Sequence, residues 1–202
     1  MGDVAAIILA AGLSRRMGAR NKLLLPVGRV PMIRHMVDTY RAIATHSVLV
    51  VTGHEATEIE AALAGSGATT LFNPDFADGQ PTSVACGLRA ADGVDTMVIG
   101  LGDQPLLTGG DLRALLAAHQ AADRDRISIP RWDEQRGNPI VVPGSLRARL
   151  LADPTSPGCK KFTRTFPEHV QFHALSAPGF YADIDTPEAY DALVLAGWEE
   201  TS

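Results

Sequence analysis

The sequence predicts an α/β fold, a Rossmann-like three-layer sandwich with a mostly parallel central sheet and a mixed C-terminal edge. Short β-branched apolar runs alternate with segments whose apolar residues recur every three or four positions, and the texture changes after residue 127. Brief apolar runs bounded by Gly, Asn or Asp read as buried strands, and their alternation with amphipathic helices reads as right-handed βαβ units with helices on both faces.

"VAAIILA" (4–10) is the first predicted strand, followed after a glycine-rich loop by the helical pattern "PMIRHMVDTYRAIA" (31–44). Pro31 stands where a first helical residue would, since its missing N–H is no loss there. Strand "SVLVVTG" (47–53), helix "EATEIEAALAG" (55–65), strand "TTLFN" (69–73), helix "TSVACGLRAA" (82–91) and strand "TMVIGLGD" (96–103) continue the alternation. A further helix is predicted from about Gly110 to Asp123. Beyond it, "ISIPRW", "NPIVVPGSLRARLL", "FPEHVQFHAL" and "DIDTPEAYDALVLAG" mix short strands with helices, as a mixed sheet edge plus a lid would. A chain of 202 residues can bury roughly 70% of its unfolded surface, enough for one core. One domain over 1–202 is expected, with halves of about 1–105 and 106–198, and a frayed end at Thr201–Ser202.

Composition narrows the function. The formal charge is −5 and the basic residues are scattered, which argues against a nucleic-acid groove and leaves small charged ligands open. Cys86 and Cys159 lie far apart with no C-x-x-C pattern, which fits a reducing compartment, the cytoplasm, better than a disulfide framework. The start "MGDVAAIILAAG" has no basic lead and too short an apolar stretch to span a bilayer, so no membrane role is expected.

The loop "LAAGLSRRMG" (9–18) offers Gly12, Ser14, Arg15 and Arg16, with Lys22 shortly after. Strand, glycine loop, helix is a geometry that presents backbone N–H groups to phosphate oxygens. Neither standard phosphate pattern fits: G-x-G-x-x-G breaks at Ser14, and Walker A breaks at Met17. What remains is a flexible backbone, a hydroxyl and three cations, suited to the roughly fourfold negative charge of a triphosphate. A solvated basic loop accounts for the spacing equally well.

Taken together, "LAAGLSRRMGARNKLL", "GQPTSVACG" (79–87), "GDQP" (102–105), "RGNPIVVP" (136–143) and "DIDTPEAY" (183–190) resemble, in order, the motifs of the MobA-like nucleotidyltransferases. The resemblance spans about residues 4–195 and is nearer to the molybdenum cofactor cytidylyltransferase branch. "SPGCKKF" (156–162) departs from the pattern, where many members carry an acidic residue followed by Gly-x-Arg.

The resemblance implies transfer of a nucleoside monophosphate, CMP from CTP, to the terminal phosphate of molybdopterin or molybdenum cofactor, with pyrophosphate released. It implies a nucleotide site of Leu9, Ala10, Ala11, Gly12, Ser14, Arg16, Gly18, Lys22, Gly79, Ser83 and Asp103. Arg16, Lys22 and Asp103 would be catalytic, and Asp103 with Asp185 would hold Mg²⁺, a hard cation suited to one or two carboxylates plus phosphate oxygens. Gln104, Arg136, Gly137, Asn138 and Lys160 would face the acceptor. Asp183 is a candidate to support the metal carboxylates, and Arg15 takes no role. Ala11 stands where the resemblance gives cytidine users alanine and guanosine users glycine. A molybdoenzyme or its chaperone is an implied partner.

Other uses compete for the same residues. Asp103 could open a turn, Asp185 or Thr186 could cap the helix that Pro187 begins, and Ser83 could sit in an ordinary helix start. His169 and His173 alternate along a predicted strand and read as structural; the cysteines read as unreactive. Rival functions are a guanylyl- or sugar-1-phosphate nucleotidyltransferase, a nicotinamide-dependent oxidoreductase, and a non-catalytic cofactor-binding maturation partner.

Overall fold

The structure is a computed structural model, and it describes residues 2–18, 20–153 and 157–196. The expectations for Thr201–Ser202, for Ser156 and for the last residues of the C-terminal half lie outside the described residues.

In chain order the elements are β1 (Val4–Ala10), β2 (Pro26–Val27), β3 (Val30–Pro31), α1 (Met32–Tyr40), β4 (Ser47–Thr52), α2 (Ala56–Ala62), β5 (Thr69–Phe72), α3 (Gln80–Ala90) and β6 (Thr96–Leu101). There follow α4 (Gly109–Ala121), β7 (Ile127–Trp132), β8 (Gln135–Arg136), β9 (Ile140–Pro143), α5 (Arg147–Leu151), α6 (Cys159–Thr165), β10 (Val170–Ala174) and α7 (Pro187–Leu195). The main sheet runs β5-β4-β1-β6-β9-β7-β10, with β8 paired to β7. Strands β5, β4, β1 and β6 are mutually parallel. Strand β9 is antiparallel to both neighbours, and β10 is parallel to β7, which makes the C-terminal edge mixed as the sequence predicts.

The strand order places the site. From β1 the chain moves outward to β4 and β5, then returns to lay β6 on the other side of β1. A reversal of this kind opens a crevice beyond the carboxyl ends of the two central strands. In register, Leu9 of β1 faces Leu101 of β6, and both stand at that edge.

Strand alternation sorts the core into two layers. Ala6, Ile8 and Ala10 pack with Met36 of α1, Ile59 of α2, Leu112 of α4 and Leu193 of α7. Ala5 and Ile7 pack with Leu88 of α3, Leu150 of α5 and Phe162 of α6. A strand apolar on both faces fits only between two helical layers. Helix α4 opens on a reciprocal Thr108–Asp111 capping box, and α7 on the Thr186 hydroxyl, which accepts from the Ala189 N–H.

Two local expectations change. Pro31 precedes α1 instead of starting it, because it pairs with Pro26 in the β2–β3 hairpin. His169 and His173 do not share a strand, since β10 starts at Val170 and His169 closes a 3₁₀ turn against Arg149. Among the described residues, no helix is long and apolar enough to cross a membrane.

His173 belongs instead to a buried polar hub. The hydroxyl of fully buried Ser128 lies 2.9 Å from His119 Nδ1, His173 Nε2 and Gln171 Nε2. A hydroxyl donates once and accepts twice, and Gln171 can only donate, so one imidazole must present a lone pair. Burial lowers the pKa of both histidines, and for His119 the neighbouring His173 adds to it. A second tight contact involves Gly100: a Cβ there would lie 1.8 Å from the Tyr40 hydroxyl, 2.9 Å from Tyr40 Cζ and 2.9 Å from Pro139 Cβ.

Two stability outcomes are expected. Unfolded imidazoles titrate near 6.5 and the folded ones lower, so the hub's contribution is full above about pH 6.5 and is lost as pH falls through the folded values. Urea unfolding at pH 7.5 and 5.5 should show this loss, and Ser128→Ala should remove about 2–3 kcal/mol and flatten the pH dependence. Gly100→Ala should destabilise by about 2–3 kcal/mol. Tyr40→Phe should restore only part of that, because the ring carbon and Pro139 still obstruct.

Candidate functional site

Two adjoining cavities open at the carboxyl ends of β1 and β6. The first, about 540 Å³, lies among the loop after β1, the N-terminus of α3, Lys22, Asp103 and Asp185. The second, about 620 Å³, lies between β6, β8 and α6. Leu9, Arg16, Gln80 and Leu101 line both, so they form the boundary between the two.

Leu9, Ala11, Gly12, Ser14, Arg16, Lys22, Gly79, Ser83 and Asp103, all expected at a nucleotide, line the first cavity. Ala10 does not: alternation along β1 turns it into the core on the α1 side. Gly18 also lies off the cavity, past Met17, whose buried side chain anchors the loop. Ser14 sits in the left-handed region at φ 47, and its buried hydroxyl has no hydrogen-bond partner. Such an orphaned hydroxyl at a cavity wall is free to meet a ligand. Arg15 lines this cavity too.

The opposite wall holds residues that the motif reading passed over. Phe76 and Ala77 line the first cavity, and Phe76 reaches it because residue 53 is glycine. A Cβ on Gly53 would lie 2.5 Å from Phe76 Cβ and 2.9 Å from Ala11 Cβ. Asn73, at the end of β5, donates to Ser83 at 3.1 Å and to Thr82 at 2.9 Å, fixing the first turn of α3. Gly79 precedes that turn at φ 108, a conformation glycine adopts freely. The turn-rich run "NPDFADG" was the available signal for this wall.

Charge concentrates where the loop meets the two acidic motifs. Lys22 stands in a short 3₁₀ turn whose start is capped by the Asn21 side chain, and Leu23 anchors the turn in the core. Its ammonium donates to Asp103 and, at 2.7 Å, to Asp185. Arg16 donates to the other oxygen of Asp185 at 2.6 Å. Burial works against the Lys22 charge, but Asp103 and then Asp185 outweigh it and raise its pKa. Burial likewise opposes the Asp185 charge, and Lys22 with Arg16 overcomes it and lowers that pKa. The N–H of Ile184 bonds the Asp103 carbonyl at 2.9 Å, which holds the two acidic segments side by side.

The oxygens also suit a divalent cation. Asp103 Oδ1 is buried and has no hydrogen-bond partner, which leaves a hard anionic donor beside Asp185. Among the described residues no group of three or more His, Cys, Asp or Glu is placed to hold a metal. Two carboxylates are a donor set of the kind that hard divalent cations take together with water and phosphate oxygens.

Arg136, Gly137, Asn138 and Lys160 line the second cavity. Gln104 does not: it is fully buried, and its amide donates to Asp183 at 2.8 Å and to the Phe180 carbonyl at 3.3 Å. It ties the acidic segments together instead of facing a ligand. Asp183 lines this cavity, and burial, then repulsion from Asp103 and Asp185, raises its carboxyl to about 6. Cys159 begins α6 with its thiol buried and pushed up to about 12, and burial also raises half-buried Cys86, so neither is poised as a thiolate.

Residues 6–172 match the MobA-like NTP transferase domain family. The bifunctional protein GlmU of Kineococcus radiotolerans is 35% identical over 158 residues, 76% of this chain and 28% of that protein. The chain thus spans under a third of the GlmU it matches. Nicotine blue oxidoreductase of Paenarthrobacter nicotinovorans is 27% identical over 198 residues, 93% of this chain and 97% of that protein. A nucleotidyl transferase from Methanothermobacter thermautotroptrophicus superposes with TM-score 0.80 at 24% identity, covering 96% of this chain and 99% of the other. Rv0371c of Mycobacterium tuberculosis, solved with manganese, gives TM-score 0.75 at 22% identity, covering 96% and 99%. These solved structures share the fold described above. With the family match running from β1 into β10, the chain belongs to the MobA-like NTP transferase domain family.

Proposed function

We propose that the chain transfers CMP from CTP to the terminal phosphate of molybdopterin or molybdenum cofactor, with release of pyrophosphate. The observation that carries this reading is the Lys22 ammonium set between Asp103 and Asp185, beside the boundary of two cavities. The first cavity takes the triphosphate and the second the acceptor. An acceptor phosphate oxygen bonds to the α-phosphorus as the bond to the β-phosphate oxygen breaks, and pyrophosphate carries away the electron pair. A phosphate acceptor is already ionised at pH 7, so no general base is needed.

The chain's part is positioning and charge neutralisation. An ammonium has three N–H donors, and two of Lys22's are taken by carboxylates, which leaves the third for a phosphate oxygen. Arg16 lines both cavities, so its fork can bridge the transferring phosphate and the acceptor. The buried Ser14 hydroxyl, lacking a partner, is available to the phosphates. Asp103 and Asp185 would hold Mg²⁺, which when bound neutralises charge on the phosphates. Ala11, closed against Phe76 and Gly53, narrows the wall where a base would lie and favours a pyrimidine. The site of action is the cytoplasm, and a molybdoenzyme or its chaperone receives the product.

A redox reading has one observation in its favour, the near full-length similarity to an oxidoreductase. Against it stands the interrupted glycine pattern at Ser14. Pyrophosphate release should appear with CTP, Mg²⁺ and molybdopterin, while nicotinamide dinucleotides show neither binding nor turnover. The reverse result would establish the redox reading.

Asp103→Ala and Lys22→Ala should each lower pyrophosphate release by about 10²–10³-fold. In Asp103→Ala, nucleotide binding measured by calorimetry should persist, and retained activity in either variant would overturn the mechanism. Ala11→Gly should shift the ratio of CTP to GTP turnover toward GTP; an unchanged ratio would remove Ala11 from base selection.

A further inference from the structure

The second cavity carries more positive charge than one attacking phosphate can use. Arg16, Arg136, Lys160, Lys161 and Arg164 line it, against the single carboxylate of Asp183. Arg16 is paired with Asp185, and Lys161 with Asp153. Arg136, Lys160 and Arg164 form no ion pair among the described residues, in a chain whose net charge is −5.

The fold holds these three cations together despite their repulsion. Lys160 and Arg164 are four apart on α6, a spacing that sets like charges on one helix face and destabilises the helix. Helix α6 cannot easily turn away, because Phe162 is buried in the core and a Cβ on Gly158 would lie 2.8 Å from Val84 of α3. Arg136 is aimed from the other side. Its Nη2 donates to the buried Thr163 hydroxyl at 3.1 Å, and its guanidinium lies 5.3 Å from the centre of the Phe172 ring. Arg131 shares that ring at 5.2 Å. Burial, then Arg164 and Arg131, lower the Arg136 pKa, so this guanidinium is held where an anion would relieve it.

We propose that Arg136, Lys160 and Arg164 form a subsite for a second anionic group on the acceptor, so that the acceptor is a phosphate ester bearing a further negative charge and not a phosphorylated neutral sugar. The inference rests on the nucleotidyl-transfer reading. The attacking phosphate belongs at the boundary with the first cavity, beside Arg16, whereas Arg136, Lys160 and Arg164 line only the second. All three side chains donate and none accepts, a set matched to an anion and poorly matched to hydroxyls, which need acceptors as well. Thr163 and Phe172 are positioning residues for Arg136.

The test uses the full chain saturated with Mg²⁺ and a non-transferable CTP analogue, titrated calorimetrically with two probes. Glycerol 3-phosphate carries one anionic group, and 3-phosphoglycerate carries a carboxylate as well. The doubly anionic probe should bind about tenfold tighter, the effect of one charge-assisted contact. Arg136→Met, Lys160→Met and Arg164→Met should each erode that preference about threefold to tenfold, weakening 3-phosphoglycerate more than glycerol 3-phosphate while the CTP analogue in the first cavity still binds. Arg136→Lys should keep part of it, since charge remains while the fork is lost. Equal binding of the two probes, or a preference untouched by all three neutral variants, would overturn the proposal. A preserved preference in a protein that releases no pyrophosphate with any triphosphate would sustain the subsite and defeat only the transfer reading.

Discussion

The ammonium of Lys22 holds together carboxylates from distant parts of the chain, and the site is organised around that contact. Asp103 follows β6 and Asp185 precedes α7, so each must be brought to the loop after β1 by the fold. Two carboxylates this close would repel without a cation between them, and the ammonium would lose its hydration without them. The Ile184–Asp103 backbone bond and the Gln104 amide fix the acidic segments in register, leaving the charges to select their position. Arg16 adds a second cation on the exposed side, and one buried oxygen of Asp103 has no hydrogen-bond partner.

The surrounding sheet provides the place for this charge balance. Reversal of strand order at β1 opens the crevice, and Leu9 and Leu101, facing each other across the β1–β6 pair, form the floor common to both cavities. Missing side chains then bring the walls close. Gly53 allows Phe76 to approach Ala11, and Gly137 lies where a Cβ would meet the Phe180 carbonyl and the Tyr181 ring, each at 2.8 Å. The two cavities differ in character for the same reason. One is walled by the loop after β1 and the turn that carries Phe76, the other by Arg136 of β8 and the lysine-bearing helix α6.

Much of this was legible in the residues. β-branched runs located β1, β4, β5 and β6 to within about two residues, because a strand buried on both faces leaves an uninterrupted apolar signature. The glycine loop, Lys22 and the acidic motifs were visible as residue types suited to phosphate and metal. Arg136 and Lys160 were singled out, whereas Lys161, Arg164 and Phe76 were not. They carry no motif of their own, and their role depends on which side of α6, or which turn, faces a cavity. Ala10, Gly18 and Gln104 show the converse: they lie inside motifs, yet strand alternation, the Met17 anchor and complete burial keep them out of the cavity walls.

The sequence by itself determined the layered α/β architecture, the crevice at its strand ends and the chemistry available there, because periodicity, turn residues and charge are local properties. Only the tertiary structure decided that Lys22 lies between Asp103 and Asp185, that Ser128 gathers His119, Gln171 and His173, and that β9 enters the sheet antiparallel. Each of these joins residues far apart along the chain. Their energies come from desolvation and pairing across the packed layers, which no local window of sequence contains.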